Sequence, residues 1–480
     1  MSNKPILPNA YVNINNQNLG LTPAQLSGIF AFVGIAVDGS ETAETIVSVG
    51  GINEVRTKIG YGELADSLIE FFNNGGRKAY AWRVEPTTVA TINTPMTPTR
   101  FGTSTGTITV ALESGEICPN DFNLKVEILK TGDDGVAKFK YSTDGGVNWS
   151  PSLVVPVATT YVIPTTHVEL TFVKGAGAVY WEDGDTFAET VDAPEITNAK
   201  VESAVDAFIA SSNTFDAIVV SVPADSALVA SVKTKVENAE AKPNFRYCYG
   251  MLRPALSTSA GQAVTQATTI MATIASDRIQ IVTGEGVLTR SNHNDTSNKS
   301  EIGIIAGRRS SLAISEDVGL VSKGQVNGVV SVRTGWTDTT IEDLDGLRTC
   351  TLRVFKGLSG FYVTNGHMSD GFSDVKKDAW RLVLDKASNR ARLASLSFVK
   401  VKVNPADVTG STQALQDAID NSLGLMVGDE DIVDKEVVVP AGQDVLTTEE
   451  ILVNISVVPY GHASFIGITI GLINPLRVAS

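Results

Sequence analysis

The residues able to do chemistry are few and scattered. Four histidines, His167, His293, His367 and His462, lie in separate segments. None has the H-x-x-x-H or H-E-x-x-H spacing that sets two imidazoles on one helix face for a metal. The three cysteines, Cys118, Cys248 and Cys350, are far apart and odd in number. That fits neither a disulfide framework nor a metal cluster, and they read as buried thiols in a reducing compartment. No G-x-S-x-G elbow and no phosphate-binding G-x-x-x-x-G-K-[ST] loop occurs. Gly284-x-Gly286 follows an expected strand, but Thr289 stands where the third glycine of a dinucleotide loop belongs, and no helix pattern follows. The carboxylates Glu182-Asp183 and Asp429-Glu430-Asp431 sit in loop-like contexts, where solvated charge is the default. An active site at the carboxyl ends of buried strands would have to draw on Val37-Asp38-Gly39-Ser40 and Pro223-Ala224-Asp225. The sequence therefore predicts no catalytic site, no metal and no cofactor.

Composition bounds the partners. The chain has 480 residues and a net charge of −15, which repels nucleic-acid phosphates and anionic membranes and suits a protein kept soluble at high concentration. The length allows about two to four domains. The opening MSNKPILPNAYV lacks a charged-then-apolar leader, and no run approaches the ~18 apolar residues of a membrane span. Synthesis and folding in cytoplasm are expected, without membrane insertion or direct nucleic-acid contact.

The elements that must carry this chain are organised around Gly62–Val84. Leu64, Leu68, Phe71 and Phe72 recur at helical spacing. Asn73-Asn74-Gly75-Gly76 stops that helix, because glycine accepts the left-handed backbone of a helix end. Ala79–Val84 reads as a strand, with Tyr80, Trp82 and Val84 on one face and the small Ala79 and Ala81 on the other. Its predicted partner is Phe30–Val37, apolar throughout as a strand covered on both faces must be. From Val191 to Thr283 helix and strand alternate: Ala199–Ser211, Phe215–Val222, Asp225–Ala239, Arg246–Leu252, Ala260–Ala275 and Arg278–Thr283. Such alternation predicts a doubly wound parallel sheet.

Between these stretches, Pro86–Asp192 is rich in Thr, Val and Gly and reads as an antiparallel β domain inserted into the α/β domain. Its strands include Thr107–Leu112, Asn123–Leu129, Ala137–Ser142 and Val168–Phe172. Ser142-x-Asp144-x-Gly146-x-x-Trp149 matches the Asp-box hairpins that recur in sialidase propellers. One copy stands here where a propeller needs several, so a stable hairpin turn is the reading. Residues 284–300 read as a polar linker. Further on, the pattern predicts a helical face at Ile302, Ile305 and Leu312, strands at Gly328–Arg333, Thr349–Phe355 and Gly360–Thr364, a helix over about Asp374–Leu396, a strand at Ser397–Asn404 and a helix at Ser411–Leu423. Ile451–Val458 and Phe465–Ile470 alternate cleanly about the turn 459–463 and predict a hairpin. The whole is an α/β, multidomain chain. It comprises an extension over 1–20, an α/β domain over 21–85 plus 193–290, a surface β domain over 86–192, and an α+β domain over 300–480 with an inter-subunit sheet.

At this point the chain resembles a family. A helix ending in Phe71-Phe72-Asn73-Asn74-Gly75-Gly76, then Tyr80 through Arg83-Val84, preceded by FAFVGIAVDG, is similar to the N-terminal signature of contractile tail sheath proteins. These occur in contractile phage tails, R-type bacteriocins and related injection systems. The G-x-R-T-L sequence common in that family is absent; Gly346-Leu347-Arg348-Thr349-Cys350 is a partial echo, so the resemblance is to a divergent branch. It implies a subunit that polymerises helically, with six-fold symmetry in the family pattern, around an inner tube, contacts baseplate and tail-terminator proteins, and contracts without cofactor or catalysis. The place implied is a virion tail sheath, or an equivalent particle, assembled in the host cytoplasm. By the same resemblance, Tyr11, Val12, Asn13 and Ile14 would be a strand donated to a neighbouring subunit. From Asp374 to Lys402 there are eight basic and three acidic residues, and from Asp407 to Lys435 one basic and seven acidic. The family docks its C-terminal domain on the tube through charge, which makes Lys376, Lys377, Arg381, Lys386, Arg390 and Arg392 candidates for the tube-facing side. A second reading is a non-enzymatic protein whose β insert binds carbohydrate or another surface, the α/β part being a scaffold.

Overall fold

In a computed structural model the structure describes residues 28–86, 92–157, 159–177, 179–241, 247–290 and 292–471. Its centre is a six-stranded sheet ordered Ile279–Ile281, Tyr249–Arg253, Ala217–Pro223, Ile29–Ile35, Lys78–Val84, Ile46–Val49. All neighbours are parallel except the edge strand Ile46–Val49. Ile29–Ile35 is buried along its whole length, because each side chain finds a core on its own face. Phe30 and Phe32 meet Leu64, Leu68 and Phe71 of helix Glu63–Asn73. Ile29, Ala31 and Val33 meet Val205 and Phe208 of helix Asn198–Ala210 and share that core with Leu228 and Val232 of helix Ser226–Ala241. Alternation along the strand thus becomes two hydrophobic layers with helices on both sides of the sheet.

The helix Glu63–Asn73 ends as its sequence predicts. Gly75 takes φ +94°, open to glycine and hostile to other residues, and a Cβ on Gly76 would enter the ring of Phe71. Phe71 in turn packs edge-on to Phe30, Phe32 and Phe72. Beyond the turn, Tyr80 is buried against the far layer. Arg83 donates to the carbonyl oxygens of Gly39 and Glu41, fixing the loop that follows the central strand.

A second helix, Ile302–Ser311, lies on Glu63–Asn73 at very close range. Gly303 and Gly307, one turn apart, sit against the backbone of Ser67 and Phe71, and a Cβ at either would run into a carbonyl oxygen there. Asp66 and Glu70 lie on the same helix one turn apart and converge on buried Arg290, at 3.5 and 3.0 Å.

Residues 93–191 form two antiparallel sheets. One orders Leu153–Val154, Lys138–Ser142, Phe122–Lys130, Thr186–Val191 and Thr97–Thr99; the other Thr160–Ile163, Val168–Val173, Thr107–Leu112 and Asn93–Pro95. They share one core, in which Leu124, Val126, Ile128, Phe139, Phe172 and Trp181 are buried. The second strand, Thr97–Thr99, and the last, Thr186–Val191, are hydrogen-bonded to each other.

Several expectations need correction. Residues 284–300 are no linker: Glu285–Arg290 and Asp295–Ser300 pair as a hairpin with Val329–Val332 alongside. Their polar side chains are buried because they pair: Arg290 with Asp66 and Glu70, Glu285 with Arg333. Ser397–Asn404 is not a strand; a short 3-10 turn at Leu396–Phe398 extends helix Asp378–Ser395, and irregular chain follows. The strand expected over Thr349–Phe355 shrinks to Leu352–Arg353, paired with Tyr362–Val363.

Gly307→Ala is expected to lower the urea midpoint. Alanine gains up to ~1 kcal/mol of helix propensity, but overpacking a fixed interface costs about 1–3 kcal/mol. An unchanged or raised midpoint would show that the two helices can part freely.

Candidate functional site

The terminal region has the features of an assembly surface. Helix Asp378–Ser395 packs on helix Val408–Gly428, and strand Ile432–Val438 covers the pair. That strand bonds antiparallel to Asn454–Pro459, with Ile432 opposite Pro459 and Val438 opposite Asn454. The predicted hairpin between Ile451–Val458 and Phe465–Ile470 is therefore corrected. The first segment pairs upstream with Ile432–Val438 instead. The second segment has no strand partner among the described residues. Trp380 Nε1 donates to the Tyr460 carbonyl, His462 Nε2 lies 2.8 Å from the Ser315 carbonyl, and Lys377 reaches Ser464. These contacts tether the chain as far as residue 464. Beyond it Phe465 is 95% and Ile470 88% exposed, and Ile466 and Ile468 are similarly bare. Val433, Val438, Ile455 and Val458 of the two-stranded sheet are also exposed. Two strands alone are marginal, and a contiguous exposed apolar patch marks an interaction site.

The six basic candidates do not make one free face. Lys376 is exposed. Lys377 is buried and 2.5 Å from Asp317. Arg381 is buried between Asp277 at 2.9 Å and Asp385 at 2.7 Å. Lys386 pairs with Asp431, and Arg390 lies 3.5 Å from Asp429. Arg392 is half-buried. The physical reason is the packing itself. The acidic segment after Asp407 folds back onto the basic helix, so much of the charge segregation seen in the sequence is satisfied within the chain. Tyr11, Val12, Asn13 and Ile14 lie outside the described residues.

The Asp-box segment does structural work. The Asp144 carboxylate accepts from the Ser142 hydroxyl at 2.6 Å, from the N–H of Val147 and Asn148, and from the Thr296 N–H at 3.1 Å. These donors hold its carboxyl below the usual range although burial opposes this. Thr143 Oγ1 donates to the His293 carbonyl and Asn148 to Thr296 Oγ1. The turn thus docks the β layers on the Glu285–Ser300 hairpin. Asp225, the other strand-end candidate, caps the helix after it by accepting from Leu228 N–H at 2.8 Å. All three cysteines are buried. No helix among the described residues is long and apolar enough to cross a membrane.

The four histidines stay apart. His293 is buried against Tyr61 and Phe122, His367 lies 3.5 Å from Asp345, and His462 stacks on Trp380. His167 meets carboxylates from distant segments, a contact that no local spacing announces. Sequence reading also missed Glu301, fully buried beneath Gly284 and Gly286, where any Cβ would strike its carboxylate. Burial, only partly offset by the Leu352 N–H, pushes Glu301 up to about 8.

This architecture is that of the contractile sheath proteins. A chain in the contracted baseplate of the anti-feeding prophage superposes with a TM-score of 0.57 at 12% identity, covering 99% of this chain and 100% of that one. A chain of the PVC sheath complex, an extracellular contractile injection system in its contracted state, gives 0.55 at 11% identity over 99% and 100%. The sheath tail protein of Listeria innocua gives 0.50 at 15% identity over 91% and 93%. No curated protein matches the sequence. The chain belongs to the DUF2586 family: the N-terminal domain of that family matches residues 7–367 and its C-terminal domain residues 380–477.

Glu301 makes stability pH-dependent. Its folded value, about 8, stands above the ordinary 4.5, so its contribution is present at low pH and lost as pH rises through that value. The thermal midpoint should fall between about pH 5 and about pH 9, and Glu301→Gln should flatten the fall. Parallel profiles for the two proteins would dismiss Glu301 as the cause.

Proposed function

We propose that this protein is the structural subunit of a contractile sheath. Copies polymerise helically around an inner tube, and contraction drives the tube through a target envelope. The observation that carries the reading is the terminal surface: a two-stranded sheet leading into the exposed segment Phe465–Ile470, in a chain with the sheath fold throughout. Such a surface is costly on a monomer and is satisfied when further strands join it. Identical subunits joined head to tail by unlike surfaces form an open helix. Contraction is a repacking of subunit contacts from a metastable lattice, so the action is mechanical and asks for no cofactor or catalytic group.

Within this reading the six-stranded sheet is one doubly wound domain, residues 93–191 are a domain inserted into it and carried on the outer surface, and the region after residue 300 is the domain that links copies. Tyr11–Ile14 is the strand donated to a neighbouring two-stranded sheet. Lys376 is the exposed member of the basic set and the first candidate for contact with the tube. Six-fold symmetry, baseplate and terminator partners, and assembly in host cytoplasm follow from the same reading. No observation favours the alternative of a carbohydrate-binding β insert, since the single Asp-box is spent on an internal turn.

Negative-stain electron microscopy tests this on three purified proteins: the full chain, a form lacking residues 1–20, and a form lacking residues 465–480. Long hollow tubes are expected from the full chain and from neither truncation. Tubes from the form lacking 1–20 would end the role given to Tyr11–Ile14. Monomers or small closed rings from the full chain under all conditions would end the sheath reading.

A further inference from the structure

The seam between the β layers of residues 93–191 and the six-stranded sheet holds a polar cluster unused by anything above. Asp38 follows the central strand in the short ladder Val37–Asp38 with Gly60–Tyr61. Glu113, Glu116 and His167 come from the end of the paired strands Thr107–Leu112 and Val168–Val173, where the Glu113 N–H donates to the His167 carbonyl at 3.0 Å. The imidazole stands between carboxylates: Nδ1 is 3.1 Å from Glu113 Oε2 and Nε2 is 2.6 Å from Asp38 Oδ2. Donor atoms of Asp38, Glu116 and His167 all lie within 4.8 Å of one another.

Three features point to a cation. First, a carboxylate on Nδ1 is the contact found behind a metal-ligating histidine, and Nε2, which here shares a proton with Asp38, is the nitrogen an ion would take. Second, three carboxylates converge on one imidazole, and among the described residues none of them has a lysine or arginine within ion-pair distance. Arg83 feels the charge of Asp38, but its guanidinium donates to the carbonyls of Gly39 and Glu41. One proton on His167 offsets one of the three negative charges, whereas a divalent ion offsets two. Third, one imidazole with two carboxylates is a donor set suited to zinc-type ions, with water completing the shell. Ligands at about 2.0–2.2 Å from such an ion stand no more than about 4.4 Å apart; the exposed side chains of Asp38 and Glu116 reach that with small rotations.

We propose that Asp38, Glu116 and His167 form a binding site for a divalent transition metal of the zinc type, with Glu113 as the positioning residue behind His167. The ion joins the β layers to the central sheet. On binding, the proton shared by Nε2 and Asp38 leaves to solvent and the Nε2 lone pair takes the ion. Acid therefore competes with metal.

The test is equilibrium dialysis of the full-length protein against Zn2+, with the metal counted per chain. Wild type is expected to take up one equivalent at about pH 8. Glu113→Gln should weaken binding by about 10- to 100-fold. His167→Asn and Glu116→Gln should abolish stoichiometric uptake. Glu116 is exposed, so Glu116→Gln should leave the circular dichroism spectrum unchanged and separates loss of a ligand from loss of fold. Uptake well below one equivalent in wild type, or equal uptake by wild type, His167→Asn and Glu116→Gln, would overturn the site. Binding of Mg2+ as tight as that of Zn2+ would overturn its transition-metal character, because an imidazole ligand discriminates against magnesium.

Discussion

Two carboxylates one helical turn apart, Asp66 and Glu70, face a single buried guanidinium, that of Arg290. Much of the molecule is arranged about this contact. Burial opposes the guanidinium's charge, and the two acids hold it charged. Arg290 comes from the hairpin beyond the central sheet, so the pairing locks that hairpin onto helix Glu63–Asn73. Asp66 also accepts from Asn120 of the β layers and from Asn292 of the hairpin turn. One helix thus holds two parts of the chain, the hairpin and the β layers, by polar contacts on one side, while its apolar side covers the sheet through Leu64, Leu68 and Phe71. Removing one member of such a set leaves an unpaired buried charge, which costs far more than the set as a whole contributes.

Glycine supplies what these charges need. Gly303 and Gly307 let the neighbouring helix approach until backbone meets backbone. Gly284 and Gly286 leave room for the Glu301 carboxylate. In each case the missing side chain sets a distance between elements, and that distance decides which polar groups are sealed from water.

The central layers were legible because their signals are local. The alternation of Ile29–Ile35, the helical spacing of Leu64, Leu68 and Phe71, and the Asn-Asn-Gly-Gly stop each concern a few consecutive residues. The β strands 107–112 and 168–173 were legible by the same logic. The hairpin 285–300 was not, since buried polar residues such as Arg290 and Glu285 resemble loop residues until their distant partners are known. The terminal pairing was misread for a related reason: Phe465–Ile470 alternates as a strand should, yet among the described residues it has no strand to pair with. The basic run after Asp374 looked like a free surface because its acidic counterpart is 40-odd residues away in sequence, as Lys386 and Asp431 illustrate. The cluster at Asp38, Glu116 and His167 was invisible for the same reason, its members coming from three stretches that only the fold brings together.

Thr97–Thr99, the second strand of the β layers, and Thr186–Val191, the last, are hydrogen-bonded neighbours. The excursion between them therefore begins and ends at nearly one place. Among the described residues it docks on the rest of the protein through contacts that each use a side chain, as at Asn120, Asp144 and His167. If these layers are the inserted domain proposed above, they are modular. They can be lengthened, exchanged or deleted by recombination at two adjoining points, while Lys78–Val84 and Ala217–Pro223 keep their register with the strand between them. The β layers and the central sheet can then evolve on separate clocks.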